Sequence, residues 1–254
     1  MHKHQLLQGL HEQLRPRTYF EIGVRKGKSL ALSRTASVGV DPYYVVDHEL
    51  HCDLHLVRAT SDEFFARRHP FAHFREPLVD LAFIDGMHLS EFALRDFINT
   101  ERYCHAGSVL VIDDVLPRNV LEAGRGRVGS AAKGAWAGDV YKVIDVLRTH
   151  RPDLIVVEVA TKPTGTLVIL LPDPENRVLA EAYDALVPEL VVPDPQVVPE
   201  WSLTRSRAME PGALLTSPIW EEVRRLRNRR GAVPREALAS AYAQAGLANT
   251  QEIR

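Results

Sequence analysis

Acidic side chains follow three apolar segments of this sequence, at positions where they could bind one ligand together. The segments are SVGV (37–40), VDLAFI (79–84) and SVLVI (108–112), and the acids that follow them are Asp41, Asp85, Asp113 and Asp114. Nearly continuous apolar segments are typical of strands buried on both faces of a parallel sheet. The carboxyl ends of such strands lie at one edge of the sheet, where ligands bind. We therefore expect the four acids to line one cleft.

Three of these acids, Asp85, Asp113 and Asp114, are typical ligands for a hard divalent cation such as Mg²⁺, although Mn²⁺ or Ca²⁺ would also accept oxygen ligands. A cation bound to an alcohol oxygen would position that oxygen and ease the loss of its proton. His88 lies three residues after Asp85, and its imidazole is a candidate general base. Each residue has an alternative: a strand-end acid can cap a turn, adjacent acids often include one functional member, and His88 could begin the next helix in contact with solvent.

A glycine-bearing turn follows the first predicted strand, in the sequence EIGVRKGKS from Glu21 to Ser29. Gly23 and Gly27 would allow a tight turn and a close approach of a ligand to the backbone. The segment lacks the GxGxxG pattern of dinucleotide-binding folds, and it matches only the last residues of a P-loop. A turn with a purely structural role is the alternative.

Asp41 ends the next predicted strand, 20 residues after Glu21. In nucleoside-binding α/β folds an acid at this point accepts hydrogen bonds from the ribose hydroxyl groups. The alternative is an exposed turn acid before Pro42. Taken together with the glycine turn, the position favours ribose binding.

Two sets of motifs carry a resemblance to a known family. The turn, as ExGxxxGxS, resembles the first motif of class I S-adenosylmethionine-dependent methyltransferases. Ile84-Asp85-Gly86-Met87-His88, then Ala106-Gly107, then Asp113-Asp114 resemble the signature of a bacterial O-methyltransferase family. That family includes macrocin-type sugar O-methyltransferases and cephalosporin-hydroxylase-like proteins, and the resemblance covers about residues 18–172. The chain departs from it at Ala106, where many relatives have glycine, and at Met87, where a polar residue is usual.

The resemblance implies S-adenosyl-L-methionine as cofactor, Mg²⁺ as the metal, and a role for each candidate residue. The implied catalytic residues are His88 and Asp85, the metal ligands are Asp85, Asp113 and Asp114, and the cofactor-binding residues are Glu21, Gly23, Gly27, Ser29, Asp41, Ser61, Asp62 and Asp85. A helix N-cap would explain Ser61 and Asp62 equally well. The long loop from Arg118 to Gly138 could cover an acceptor pocket. Lys133, Trp136 and Asp139 are the candidate acceptor-binding residues there.

The order of elements that would position these residues indicates an α/β fold. The predicted strands span 18–24, 37–42, 54–59, 79–85, 108–114, 153–160 and 166–172, and the predicted helices span 3–14, 29–34, 89–103, 139–150, 174–187, 217–230 and 234–247, with a further helix starting at 60–62. Alternating elements predict a doubly wound, Rossmann-like, mostly parallel seven-stranded sheet. The short connection between the last two strands predicts a terminal antiparallel hairpin. We divide the chain into a methyltransferase domain (1–172), a helix with a Pro-rich connector (173–200) and a helical C-terminal extension (201–254).

Composition excludes several classes of protein. The formal charge of -2, from 31 Lys and Arg against 33 Asp and Glu, is unlike that of a general nucleic-acid binder. No apolar run approaches the roughly 20 residues that span a bilayer, and the polar first residues do not resemble a signal peptide. Two cysteines cannot form a disulfide framework. We expect a cytoplasmic protein without nucleic-acid or membrane partners. Its C-terminal helices should dock either on the core or on a second copy of the chain, and in the second case the protein would be a homo-oligomer.

These observations predict an S-adenosylmethionine-dependent, metal-assisted O-methyltransferase that acts on a hydroxyl group of a small molecule. The family resemblance favours a sugar hydroxyl, free or within a glycosylated natural product or polysaccharide. One alternative is a metal-independent methyltransferase of the same fold that acts on a phenol or an amine. Another is a non-catalytic nucleotide-binding scaffold, which the complete set of candidate residues disfavours. An NAD-dependent oxidoreductase is disfavoured by the missing GxGxxG pattern.

Overall fold

The computed structural model describes residues 1–127, 136–228 and 232–247, and a seven-stranded sheet forms its centre. The strands are β1 (Thr18–Ile22), β2 (Ala36–Val40), β3 (Leu54–Val57), β4 (Leu81–Ile84), β5 (Val109–Asp113), β6 (Ile155–Val159) and β7 (Thr166–Leu170). Their order in the sheet is β3-β2-β1-β4-β5-β7-β6. The first five strands are parallel, and β7 runs antiparallel to both β5 and β6. The predicted doubly wound sheet with a terminal hairpin is confirmed.

Helices cover both faces of the sheet. They are α1 (Lys3–Leu14), α2 (Ser61–Phe65), α3 (Ser90–Glu101), α4 (Lys142–His150), α5 (Val178–Leu190), α6 (Glu200–Thr204), α7 (Pro211–Leu215), α8 (Ile219–Arg227) and α9 (Arg235–Gln244). One apolar core contains residues of α2 to α5, and the other contains residues of α1, α7, α8 and α9. Within the described residues, no helix is long and apolar enough to cross a membrane.

The C-terminal helices complete the layer of helices that covers one face of the sheet. Where a helix was predicted over 29–34, the chain forms only a three-residue 3-10 helix, Leu30–Leu32, and β2 and β3 are joined without a helix. The face of the sheet on this side is covered instead by α1 together with α7, α8 and α9. Trp220 of α8 is fully buried there. The extension therefore shares its apolar core with the sheet and with the first helix of the chain.

Strand register brings the candidate residues to one edge. Ile22 of β1 pairs with Val40 of β2 on one side and with Ile84 of β4 on the other, and Ile84 pairs with Ile112 of β5. These four residues are therefore level with one another across the sheet. The residues that follow them, Gly23, Asp41, Asp85 and Asp113, lie along the carboxyl edge of the strands, where doubly wound sheets bind ligands.

Candidate active site

The glycine turn lies directly against the end of β4. Gly23 has φ +90°, and a Cβ atom on it would lie 2.0 Å from the carbonyl oxygen of Asp85. The backbone N–H of Asp85 donates to the carbonyl of Ile22 at 2.9 Å. Only glycine accommodates both the left-handed backbone and this close approach. The first motif and the acidic motif are therefore in direct contact.

The turn is also supported by three other residues of the motif, Gly27, Glu21 and Ser29. Gly27 also has a positive φ, +79°, and a Cβ atom there would lie 2.9 Å from the Val46 side chain. The Glu21 carboxyl is fully buried and receives hydrogen bonds from the Ser29 hydroxyl at 2.6 Å and the Tyr19 hydroxyl at 2.7 Å. In this arrangement Glu21 and Ser29 support the turn from the core, and their predicted contact with a cofactor stays a prediction.

The burial of Glu21 predicts a pH-dependent effect on stability. Burial raises the pKa of Glu21 from 4.5 to about 8, against the lowering effect of its two hydroxyl partners. Because the folded state holds this proton more tightly than the unfolded state, Glu21 makes the protein less stable as pH rises from 4.5 to 8. Glu21→Gln cannot ionise, so its free energy of unfolding should exceed that of the wild type by about 1–2 kcal/mol near pH 8, with little difference near pH 4.5.

Urea unfolding at a series of pH values measures this difference. Glu12→Gln, at an exposed position of α1, removes a carboxylate without removing a buried one and serves as the control. A pH-independent difference between Glu21→Gln and the wild type would contradict the argument.

The predicted ribose and adenine contacts lie at the ends of β2 and β3. Asp41 is partly exposed, and its two carboxylate oxygens accept the backbone N–H groups of Arg25 at 2.7 Å and Tyr43 at 2.6 Å. These bonds fix the carboxylate beside the glycine turn, and each oxygen retains a lone pair for another donor. A ribose contact at Asp41 stays a prediction.

Ser61 and Asp62 form the first turn of α2. The N-cap of this helix is Thr60, whose hydroxyl accepts the backbone N–H of Glu63 at 3.2 Å. The Ser61 hydroxyl hydrogen-bonds the buried carboxyl of Asp96, and Asp62 forms an ion pair with Arg95 at 2.5 Å. Their contact with an adenine ring stays a prediction.

Three side chains at the ends of β4 and β5 are grouped closely enough to hold a metal ion. Ligand atoms of Asp85, His88 and Asp114 all lie within 4.8 Å of one another. Nε2 of His88 lies 3.3 Å from Asp85 Oδ1, and Nδ1 lies 3.1 Å from Asp114 Oδ2. The set overlaps the predicted metal ligands at Asp85 and Asp114, and it contains His88 where Asp113 was expected.

Asp113 is paired instead with a lysine that the sequence analysis did not identify. Nζ of Lys3 lies 2.7 Å from Asp85 Oδ2 and forms a very short hydrogen bond with Asp113 Oδ2. Lys3 is the first residue of α1, more than 80 positions before either partner, and its side chain is 21% exposed. Charge complementarity could have suggested some cation near the acids. Nothing in the local sequence distinguishes Lys3 from other lysines.

The carboxylates of this cluster affect one another's ionisation. Burial and the neighbouring Asp114 and Asp85 raise the pKa of Asp113. Burial also raises the pKa of Asp114, to about 6, although His88 opposes the shift. The pKa of Asp85 is lowered, because the attraction of Lys3 and His88 outweighs the effect of burial. Burial would lower the pKa of His88, but Asp85 and Asp114 together raise it to about 9. The cluster therefore attracts positive charge strongly.

Trp136, near the end of the loop after β5, lies against His88. The Trp136 ring stacks on the imidazole, with the centroids 5.0 Å apart and an interplanar angle of 4°. Nδ1 of His88 donates to the Trp136 carbonyl at 2.8 Å, because a carbonyl oxygen can only accept. This bond leaves Nε2 as the imidazole nitrogen that can accept a proton. Trp136 is therefore the predicted acceptor residue that the structure brings to the cluster.

The other two predicted acceptor-binding residues are Asp139 and Lys133. Asp139 is fully buried, and its carboxylate accepts hydrogen bonds from Arg125 at 2.6 Å, Lys142 at 3.0 Å and the backbone N–H of Ser90 at 2.8 Å. These bonds anchor the loop, and contact between Asp139 and an acceptor stays a prediction. Lys133 lies outside the described residues.

Comparisons with known proteins found one family model and several solved structures similar to this chain. Residues 20–115 match the family model described as a methyltransferase domain. No curated protein sequence matches the chain. The fold is similar to that of the O-methyltransferase TomG from Streptomyces achromogenes, involved in tomaymycin synthesis and solved with S-adenosylmethionine, at 17% identity and a TM-score of 0.48, covering 67% of this chain and 80% of that one.

Two further solved structures have comparable similarity. The O-methyltransferase from Bacillus cereus, solved with S-adenosylhomocysteine, has 15% identity and a TM-score of 0.45, covering 66% of this chain and 80% of that one. The methyltransferase PaMTH1 from Podospora anserina, also bound to S-adenosylhomocysteine, has 14% identity and a TM-score of 0.47, covering 67% and 78%. The match to the methyltransferase-domain model runs from within β1 to just past β5, which is the part of the chain that holds the glycine turn and the acidic cluster.

Proposed function

We propose that this enzyme transfers a methyl group from S-adenosylmethionine to a hydroxyl group of a small molecule, assisted by a divalent cation. The proposal rests mainly on the contact of the glycine turn with Asp85, since the turn, which we propose binds the cofactor, lies against the acidic cluster. In this arrangement the cofactor would lie along the strand ends from Asp41 to Gly23. The acceptor would lie between the cofactor and the cluster.

The acidic cluster fits a divalent cation by the chemistry of its donor atoms. Asp85 and Asp114 would hold it through their carboxylate oxygens, and the imidazole of His88 lies within 4.8 Å of these oxygens, beside the site. Carboxylate oxygens suit both Mg²⁺ and Mn²⁺. When bound, the cation would position the acceptor oxygen and stabilise the negative charge that develops on it.

His88 is the proposed general base of the reaction. Its Nδ1 hydrogen is held by the Trp136 carbonyl, and the stacked Trp136 ring fixes the plane of the imidazole. Asp85 orients the ring further through its contact with Nε2. The imidazole therefore has a fixed orientation, with Nε2 directed into the cluster. The two aspartates raise its pKa to about 9, and a cation bound to these aspartates would lower it again, so that Nε2 could accept the hydroxyl proton. Transfer of the methyl group would then depend mainly on the alignment of the two substrates.

The proposed acceptor is a sugar hydroxyl, free or within a glycosylated natural product or polysaccharide. Trp136 supports this class of acceptor, because its ring lies beside His88 and the apolar faces of sugars pack against aromatic rings. One observation favours the metal-independent alternative, in which the acceptor is a phenol or an amine. The Lys3 ammonium already supplies a positive charge between Asp85 and Asp113.

An assay of methyl transfer separates these functions. The protein is incubated with methyl-labelled S-adenosylmethionine and a panel of sugars, nucleotide sugars, catechols and amines, with EDTA or with added Mg²⁺. We expect release of S-adenosylhomocysteine with a hydroxyl acceptor, loss of that release with EDTA, and recovery with Mg²⁺. Transfer that is indifferent to EDTA, or that occurs only to amines, would contradict the proposal.

Trp136→Ala should weaken acceptor binding while leaving cofactor binding intact. Loss of one stacked aromatic contact costs about 1 kcal/mol, so the KM for the acceptor should rise by roughly five- to tenfold. The affinity for S-adenosylhomocysteine should stay within about twofold of the wild type. Trp136→Phe keeps a flat ring and is the matched control. Equal KM values for Trp136→Ala and the wild type would exclude Trp136 from the acceptor pocket.

A further inference from the structure

The Lys3 ammonium lies where it must interact with any metal ion bound by the cluster. It contacts Asp85 at 2.7 Å, and Asp85 is also one of the three grouped metal-ligating residues. Its second partner is Asp113, the neighbour in sequence of Asp114, which belongs to the same group. The Lys3 ammonium and a free cation would therefore both bind the Asp85 carboxylate, and the second carboxylate that Lys3 contacts is next to the second one of the metal group.

The chain holds the backbone of Lys3 firmly in place. The backbone N–H of Lys162, in the turn between β6 and β7, donates to the carbonyl of Met1 at 2.9 Å, and Lys3 N–H contacts the carbonyl of Lys162 at 3.4 Å. Further along α1, four leucines are fully buried against the sheet and the C-terminal helices: Leu6, Leu7, Leu10 and Leu14. The ammonium can therefore leave the cluster only by rotation of its own side chain.

The C-terminal extension secures the other end of the same helix. The Arg227 guanidinium of α8 donates to the carbonyl of Leu14 at 2.7 Å and to that of Arg15 at 2.9 Å. Arg224 also donates to the carbonyl of Gln13. These carbonyls are at the end of α1, where no helical partner is available to them. The position of Lys3 is thus built into the packing of α1 and does not depend on a loose terminus.

We propose that Lys3 is a tethered competitor of the metal ion: its ammonium and a divalent cation bind the carboxylates of β4 and β5 in alternation, so Lys3 sets the metal affinity of the enzyme. The inference rests on the metal site of the proposed function. Like charges that share a carboxylate repel each other, and repulsion is strong where solvent is largely excluded. When the ammonium is in place, it offsets one negative charge of the cluster without a metal. When a divalent ion enters, Lys3 turns outward.

Binding of Mn²⁺ to the full-length protein tests this proposal without reference to activity. Free Mn²⁺ is measured by its electron paramagnetic resonance signal in titrations of the wild type, Lys3→Met and Lys3→Arg. Lys3→Met should bind Mn²⁺ about tenfold or more tightly than the wild type, which corresponds to about 1.4 kcal/mol. Lys3→Arg retains the charge and should stay close to the wild type. Lys162→Met, at an exposed lysine whose backbone holds Met1 and Lys3, is the matched control and should not change the affinity.

The outcomes separate this inference from the proposed function. Unchanged or weaker Mn²⁺ binding by Lys3→Met, in a variant with wild-type circular dichroism, would overturn the competition while leaving the metal site in place. Failure of every variant to bind Mn²⁺, with binding of S-adenosylhomocysteine intact, would overturn both the inference and the metal-assisted part of the proposed function.

Discussion

Gly23→Ala should destabilise the protein by about 3 kcal/mol or more and abolish cofactor binding. A methyl group at this position would lie 2.0 Å from the carbonyl oxygen of Asp85, which belongs to the backbone and cannot rotate away. The left-handed backbone, φ +90°, adds a cost of about 1–2 kcal/mol for any residue with a side chain. To accommodate the methyl group, β1 and β4 would have to separate at the edge where the ligand is proposed to bind.

Thermal unfolding and calorimetric titration with S-adenosylhomocysteine measure the two effects. Gly212→Ala is the matched control, because a Cβ atom there meets nothing within 4 Å and the residue lies in helix α7. That variant should be as stable as the wild type or slightly more stable, since alanine favours helices over glycine. A Gly23→Ala protein with wild-type stability and affinity would show that the turn does not touch Asp85 in solution.

Trp220→Ala should cost about 3–5 kcal/mol of unfolding free energy, which is the usual range for removal of a buried tryptophan. The side chain is fully buried between the sheet, α1 and the C-terminal helices, and its Nε1 donates to the carbonyl of Leu214 at 2.8 Å. The substitution leaves a cavity and an unpaired carbonyl oxygen. Because α8 also secures the end of α1, the loss should loosen that helix as well.

Chemical denaturation measured by fluorescence and circular dichroism tests this effect. Trp201→Ala serves as the control, since this tryptophan is only partly buried, against the opposite core, and should cost about 1–2 kcal/mol. An equal, small loss for both variants would mean that the extension is an independent appendage and not a layer of the domain.

The strands were predictable because their signal is local. All seven predicted strands are present within two residues of their expected bounds. Most of them are buried on both faces, and such strands appear in the sequence as nearly continuous apolar runs, whereas β3 is partly exposed. The rule that ligands bind at the carboxyl ends of strands then brought Asp41, Asp85 and Asp113 to one edge. The strand register supports this placement directly.

Some of the helices were less predictable, because tertiary contacts decide them. The expected helix over 29–34 is a single 3-10 turn, and α5 continues to Leu190 through Pro188, beyond its expected end at 187. Helices α6 and α7 were not predicted, since each has only five residues and too little periodicity to recognise. No helix of normal length follows β1 or β2, so one face of the sheet needs another cover. No feature of the C-terminal sequence itself shows that its helices cover that face.

The candidate site was predictable to a similar degree. The acids of the strand ends are recognisable from their position directly after apolar runs. The position of Lys3 depends instead on how α1 packs against the distant C-terminal helices, which begin at α7. The burial of Asp139 likewise depends on Arg125 and Lys142, which reach it from two different elements. Contacts between distant parts of a chain leave no periodic pattern in the sequence, so the structure was required to identify them.

Calorimetric titration with S-adenosylhomocysteine tests most directly whether the edge of the sheet from Asp41 to Asp85 binds an adenosyl cofactor. We expect a dissociation constant on the order of micromolar for the wild type. Asp41→Asn removes the charge but keeps the size of the side chain, and it should weaken binding by about tenfold. Absence of heat from well-folded wild-type protein, at concentrations that would detect a millimolar ligand, would contradict the proposed methyltransferase function.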